Sequence, residues 1–248
     1  MKKYRQSNGL FLAEGRRTVQ QIIENGRVEV VEIFATQSGA DAFSWNKTDD
    51  LPASLVDVGV FNQLTDTENS QGIVGVCRIP DAKPIFDLKD AQGIIVALDG
   101  LNDPGNVGTI IRTASWFGVV AVLVGGGTVD VYHPKVVRST AGATGAVPCI
   151  HSRLAPDLAQ LEEWGWTVAL LDGAEGAESL TTFAGGSKCV WVVGNEAHGV
   201  SDELKIPGRA RVKIKRAGGG QHVESLNAAI SAGIAVFYSS IGKSENPA

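Results

Sequence analysis

Cysteine is scarce in this 248-residue chain, and its three cysteines, Cys77, Cys149 and Cys189, stand far apart with no C-x-x-C pair. Each falls in an apolar, strand-like stretch, which suits buried thiols and argues against disulfides or metal ligation. The four histidines, His133, His151, His198 and His222, are scattered without ligand spacing, so no metal is expected. Long apolar runs are missing too. The longest, Val119–Val124, is far too short to span a bilayer. The basic start is not followed by the apolar stretch of a signal peptide, so the expected setting is cytoplasmic, with no membrane partner. No G-x-G-x-x-G occurs, and Gly125-Gly-Gly127 follows a strand without that spacing, which excludes a dinucleotide fingerprint. Internal repeats and low-complexity segments are also absent.

What is present is ordinary for a globular protein: 44% apolar and 20% charged residues, in a length suited to one large or two moderate domains. A net charge of −5 argues against a polyanionic partner, since phosphate contacts need Lys and Arg, but its distribution matters more than its total. Residues 1–27 carry six bases (Lys2, Lys3, Arg5, Arg16, Arg17, Arg27) against two acids. Residues 205–216 carry six more (Lys205, Arg209, Arg211, Lys213, Lys215, Arg216) and no acid. The acidic excess lies in residues 28–90, where eleven acids face four bases. Two basic patches on an acidic chain are compatible with RNA, or with two solvated faces.

Hydrophobic patterning divides the chain. Leu10–Glu14 reads as a strand running into a helix with Val19, Ile22 and Ile23 as its stripe and Gly26 as its stop. Val28–Ala35 reads as a strand, Asp49–Val60 as a helix-poor connection into another, and Ile73–Arg78 as a strand after polar turn residues. Pro80-Asp-Ala-Lys-Pro84 is a linker, giving a small α/β domain over residues 1–85 and a larger one over 86–248. In the second, Gly93–Leu98, Val119–Val124, Trp166–Leu171 and Cys189–Val193 are short apolar strands, the kind buried on both faces of a sheet. Helices are expected at Asn106–Phe117, Pro134–Ala141, Asp157–Glu163 and Leu226–Ile241. Alternating strands and helices imply a parallel α/β sheet. The last helix shows an apolar stripe through Leu226, Ala229, Ile230, Gly233, Ile234, Phe237 and Ile241, narrow enough to pack closely on another element or a second subunit.

Three polar clusters are joined directly to these elements. Asn102-Asp-Pro-Gly-Asn-Val-Gly-Thr-Ile-Ile-Arg-Thr-Ala114 follows a buried strand, with Asn106 suited to cap a helix starting near Val107. Arg112 sits in that helix between Ile111 and Thr113, where a cation needs a partner and a phosphate or carboxylate would suit its fork. Val193-Gly-Asn-Glu-Ala-His-Gly-Val-Ser201 ends the next buried strand, placing Glu196 at the carboxyl edge of the sheet, where such folds bind ligands. Ser201 is expected to cap a helix led by Asp202 and Glu203. His198 is an acid–base candidate that nothing in the sequence fixes. Glu224-Ser-Leu-Asn-Ala-Ala-Ile230 opens the last helix, with Ser225 as the expected cap and Asn227, a poor helix former, offering an amide to a ligand. Taken singly, each cluster also reads as a capped loop.

Together the three resemble the signatures of the SPOUT superfamily, in its TrmH-like (SpoU) branch of RNA ribose 2′-O-methyltransferases, across residues 93–241. Phe11-Leu-Ala-Glu-Gly-Arg-Arg17 resembles the start of that family's ribosomal-protein-like substrate-binding domain. The resemblance implies a parallel-sheet domain with a C-terminal trefoil knot, acting as a homodimer without metal. It also implies S-adenosylmethionine as cofactor, lined by Gly194, Ile214 and Leu226 with Glu196 beside it. Asn106, Arg112, Glu196, Ser225 and Asn227 fall on the family's catalytic positions, and Arg16 and Arg17 on its RNA-binding domain. The implied reaction is methyl transfer to a ribose 2′-hydroxyl, most simply in ribosomal RNA. The alternatives are a tRNA 2′-O-methyltransferase and a non-catalytic RNA-binding or ribosome-assembly protein on the same fold. Whether Arg112 is the base or a phosphate clamp stays open at this level. Two features depart from the pattern: Ala197 replaces a frequent Gly, and Gly218-Gly-Gly-Gln-His222 lengthens the third loop.

Overall fold

The computed structural model describes residues 2–241 apart from 47, 49, 66, 68, 69 and 218–224, and the backbone only of residues 2 and 6. In chain order its elements are α1 (Lys2–Asn8), β1 (Leu10–Glu14), α2 (Arg16–Asn25), β2 (Val30–Ala35), α3 (Gln37–Asp41), β3 (Ala53–Leu55), α4 (Val58–Leu64) and β4 (Ile73–Arg78). There follow β5 (Gly93–Asp99), α5 (Pro104–Trp116), β6 (Ala121–Val124), α6 (Pro134–Ser139), β7 (Cys149–His151), α7 (Leu154–Glu163) and β8 (Thr167–Leu171). The last are β9 (Glu178–Ser179), β10 (Lys188–Gly194), β11 (Ala210–Lys213) and α8 (Ala228–Ile241). Short 3-10 turns occupy Ile85–Leu88 and Asp202–Leu204.

The chain forms two compact units, one from the residues up to Asp81 with Asp130–Ala146, the other from Ala82–Val129 with the chain from Val147 on. In the first, four strands lie in the order β1-β4-β2-β3, with β4 antiparallel to both neighbours and β3 parallel to β2. Alternate residues of β1 and β4, among them Phe11, Ala13, Ile73 and Cys77, close a core with Val19 and Ile22 of α2. Burial pushes the Cys77 thiol up to about 12, so it is packing and not a nucleophile. Helix α2 ends as its sequence suggests, at Gly26 in the left-handed region with its N–H on the Ile22 carbonyl. The strand expected toward Val60 is only Ala53–Leu55; Asp57 then caps α4, its carboxylate accepting from Gly59 N at 2.7 Å. Helix α6 was expected beside the parallel sheet, yet Val137 completes this first core.

The second unit is a seven-stranded sheet in the order β7-β6-β5-β10-β8-β11-β9, and every neighbouring pair is parallel. The apolar runs of β5 and β10 lie at its centre, buried on both faces. Ile95, Ala97, Val190 and Val192 point into a layer with Leu158 and Leu161 of α7. The opposite parity meets α8, where Trp191 Nε1 donates to Ser239 Oγ at 2.9 Å. Strands β7, β9 and β11 were not expected; they run two to four residues, too short for a periodic signal. Strand β10 comes late in the chain but lies between β5 and β8, so strand order reverses beside β5. That reversal fixes where a parallel sheet can open to a ligand. No described helix is long and apolar enough to cross a membrane.

Candidate active site

The carboxyl ends of β5 and β10 lie side by side, Asp99 in register with Gly194, and each leads into one of the polar clusters. Helix α5 begins earlier than expected. Its cap is Asp103, whose Oδ1 accepts from Asn106 N at 2.7 Å, and Pro104 takes the first helical position. Asn106 is thereby freed from the capping role expected of it. It is buried, and its amide faces the opposite loop.

There Asn106 Nδ2 donates to Glu196 Oε1 at 2.9 Å, while Asn102 N and Asp103 N donate to Oε2 and Oε1, both at 3.2 Å. On its other side Asn106 Oδ1 accepts from Asn227 Nδ2 at 2.8 Å. Asn227 Oδ1 accepts from Ala229 N at 2.9 Å and Ile230 N at 3.2 Å, so Asn227, and not Ser225, caps α8. The direction of this chain is forced. An ionised carboxylate can only accept, so Asn106 must turn its NH2 to Glu196 and its oxygen to Asn227. Backbone N–H groups can only donate, so Asn227 must turn its oxygen to them. Three residues far apart in sequence are thus locked in one orientation across three loops.

Burial works to raise the Glu196 carboxyl, but the Asn106 amide and the backbone N–H groups of Glu196, Asn102 and Asp103 outweigh it and hold it below the ordinary glutamate range. With its pKa depressed in the fold, the stability Glu196 contributes is present above the ordinary glutamate range. It is lost only as pH falls through the lowered value.

The remaining expected site residues divide. Arg112 is on the third turn of α5, exposed, and makes no hydrogen bond or ion pair among the described residues. The partner its setting called for is therefore not supplied by its own helix neighbourhood. Gly194 ends β10 where a Cβ would lie 2.1 Å from the Gly199 carbonyl carbon, so only glycine lets the loop fold back. Ile214 follows β11 half-buried, and Leu226 and Ser225 precede α8 exposed. Ala197 costs the loop nothing, because Ala141 is the single described non-glycine residue with positive φ. Ser201 begins the 3-10 turn, yet its hydroxyl makes no cap bond. His198 is exposed at the loop tip, only its backbone N–H engaged by Asn195. The lengthened segment Gly218–His222 and Glu224 lie outside the described residues.

Half of the basic run 205–216 is engaged in ion pairs within the fold. Arg209 is buried on Glu162, Arg211 pairs with Asp172 and Lys205 with Asp202, so these three serve the fold first. In the first unit Arg17 is exposed on α2, while Arg16 donates to Gln71 Oε1 through its backbone and to the Ala42 carbonyl through its guanidinium. Sequence reasoning overlooked Asp99, Asp103 and Asn195. Only Asp103 carried a local signal, an Asp-Pro pair at a helix start.

An all-parallel sheet whose carboxyl edge gathers a polar constellation at a strand-order reversal defines a ligand-binding α/β domain. Sequence comparison narrows this: the chain belongs to the SpoU rRNA methylase family, whose profile matches residues 93–237. A second profile, the MRM3-like substrate binding domain, matches residues 1–75. The 23S rRNA (guanosine(2553)-2'-O)-methyltransferase RlmP of Bacillus subtilis is 30% identical over 244 residues, covering 96% of this chain and 91% of that protein. The mitochondrial rRNA methyltransferase 3 of the mouse is 27% identical, covering 94% and 68% respectively. Among solved structures, an AdoMet-bound rRNA methyltransferase from Sinorhizobium meliloti superposes with a TM-score of 0.82 at 27% identity, covering 98% of this chain and 91% of that one.

Proposed function

We infer that this protein is an enzyme that transfers a methyl group from S-adenosylmethionine to a ribose 2′-hydroxyl of ribosomal RNA. The observation that carries the reading is the oriented chain Asn227–Asn106–Glu196 at the β5/β10 edge of a SpoU-family fold. The cofactor suits the residues at that edge. Gly194 offers main chain, Ile214 and Leu226 offer aliphatic surface for a base, and Glu196 offers an ionised carboxylate for a cationic ligand. When bound, the cofactor supplies a methyl carbon on a sulfonium, whose C–S bond breaks as a C–O bond to the ribose forms. The chain's own task is to align the hydroxyl and let its proton leave. Asn106 and Asn227 position Glu196, and Ser225 stands at the same helix start, open to the substrate. Arg112 is a phosphate clamp in this reading, because a guanidinium stays protonated in proteins and presents two parallel donors to a phosphate. Arg16 and Arg17 contribute RNA contacts from the first unit.

Two measurements test it. Isothermal titration with S-adenosylmethionine should give saturable binding, and no heat at millimolar ligand would sink the enzyme reading. Mapping ribose methylation across total RNA, with and without the protein, should show one lost site in ribosomal RNA. A lost site in tRNA would move the substrate, and no lost site would leave a non-catalytic RNA-binding protein.

The family likeness and the order β5-β10-β8-β11 also support a C-terminal trefoil knot, the chain after β11 threading an earlier loop. A cytoplasmic setting is supported by three cysteines without a disulfide. Homodimerisation is supported by α8 itself. Its buried face is small, Ala229, Ala232, Ala235 and Val236, whereas Ile230, half-buried Ile234, Phe237 and Ile241 form an outward stripe at helical spacing. The stripe read from the sequence thus splits, with the larger side chains facing out. Trp116 of α5 adds a ring that is 83% exposed. Apolar surface of this kind marks an interface. Phe237→Asp should convert a dimer to a monomer in analytical ultracentrifugation; a dimer unchanged by it would remove α8 from the interface.

A further inference from the structure

Glu196 is exposed, as are Ala197, His198 and Gly199, so packing does not hold this loop in place. Its hydrogen bonds must. The loop first closes on itself: Asn195 N donates to the Gly199 carbonyl at 3.0 Å and Gly199 N to the Asn195 carbonyl at 2.8 Å. Asn195 Oδ1 gathers the N–H groups of Ala197 and His198 at 2.9 and 3.1 Å. Two further side-chain bonds tie the closed loop to the end of β5. Asn195 Nδ2 donates to the Gly100 carbonyl at 2.6 Å, and Asp99 Oδ2 accepts from Ser201 N at 2.7 Å. The turn is held from its far side as well, the Leu98 carbonyl accepting from Gly125 N and the Leu101 carbonyl from Val129 N, both at 2.9 Å. The loop is therefore pinned at both of its ends to a turn that is itself fixed.

We propose that Asp99 and Asn195 are positioning residues for methyl transfer, acting through Glu196 by pinning the loop Gly194–Ser201 to the turn after β5. The proposal rests on the methyltransferase reading above. Its force is geometric. The backbone donors that Glu196 meets, Asn102 N and Asp103 N, lie at 3.2 Å, so an added half-ångström takes both beyond hydrogen-bonding range. Misplacement of about 1 Å at a catalytic group costs on the order of a hundredfold in rate. The two pins do different work. Asn195 alone shapes the loop and also bridges to Gly100, whereas Asp99 only receives the loop's exit. Neither side chain needs to touch a substrate for the loss to appear in turnover.

The test uses the full-length protein, tritiated S-adenosylmethionine and ribosomal RNA from cells lacking the protein, with kcat and KM determined separately. Asn195→Asp keeps the oxygen that gathers Ala197 and His198 but replaces the Gly100 donor with a carboxylate; Asp99→Ala removes the acceptor for Ser201. Each should lower kcat by ten- to a hundredfold with KM for RNA little changed, and Asp99→Asn, which retains an oxygen acceptor, should restore most of it. Because both act through Glu196, adding Asp99→Ala to Glu196→Gln should cost almost nothing beyond Glu196→Gln alone. Fully additive losses, or a fall in melting temperature with kcat preserved, would overturn the proposal. A wild-type protein without methyl transfer would instead overturn the functional reading on which it rests.

Discussion

Arg112→Ala should lower kcat for methyl transfer by about a hundred- to a thousandfold while leaving the melting temperature within a degree or two of the parent. The two halves of that expectation come from separate observations. Arg112 is exposed and bonds to nothing among the described residues, so its removal leaves no orphaned partner, and alanine is the stronger helix former in the interior of α5. A guanidinium without a bond among the described residues, on the helix that carries Asn106, is available for a ligand, and a charge-assisted, two-pronged grip on a phosphate is worth most when the reacting groups are aligned. Removing one such contact typically costs a hundred- to a thousandfold in kcat, about 3–4 kcal/mol. Arg112→Lys separates the two possible roles. A clamp replaced by a point charge keeps part of the activity with the pH profile unmoved, whereas a base replaced by lysine shifts the alkaline limb. Full activity in Arg112→Ala, measured with tritiated cofactor, would remove Arg112 from the site altogether.

Arg112 also shows how far this fold can be read from its sequence. Strands β5 and β10 were legible because a strand buried on both faces must be apolar throughout, and helix α2 because its stripe and its glycine stop are local. The polar clusters were legible as well, and Asn106, Glu196 and Asn227, one from each of the three, join in one hydrogen-bonded chain. Their hydrogen bonds were not. Asn106 was read as a cap because a local rule fits it, yet Asp103 fills that place, and the amide is spent on a partner ninety residues away. Arg112 was expected to need a partner because its neighbours in sequence are apolar, although a helix turns its third-turn residues to different faces. Half of the basic run 205–216 is consumed by Glu162, Asp172 and Asp202, acids far away or on an adjoining turn that composition cannot pair. What depends on spacing was legible; what depends on which distant segment arrives was not.

The segment 130–146 is the strongest case of that kind, and it carries the second large expected effect. Arg138 Nη1 lies 2.7 Å from Glu14 Oε2, with side-chain exposures of 24% and 4%, and Thr67 Oγ1 donates to the same oxygen at 2.8 Å. A carboxylate this deeply buried was costly to desolvate, and its cation comes from a helix 124 residues further along the chain. Arg138→Ala takes that cation away and leaves the carboxylate inside. Losses of about 3–5 kcal/mol are usual for such a change; partial exposure of Arg138 and the bond from Thr67 reduce the expectation here to about 2–3 kcal/mol. Chemical denaturation of the full-length protein should show it as a lowered midpoint. Charge burial, and not lost packing, is the cause if Glu14→Gln restores most of the loss in the Arg138→Ala background; no recovery would assign the effect to packing. The same geometry bears on where the first unit ends. Cut at residue 85 it would lack both Arg138 and Val137, the one an ion partner of its buried acid and the other a member of its core, so the linker at 80–84 separates the sequence into two parts without separating the fold.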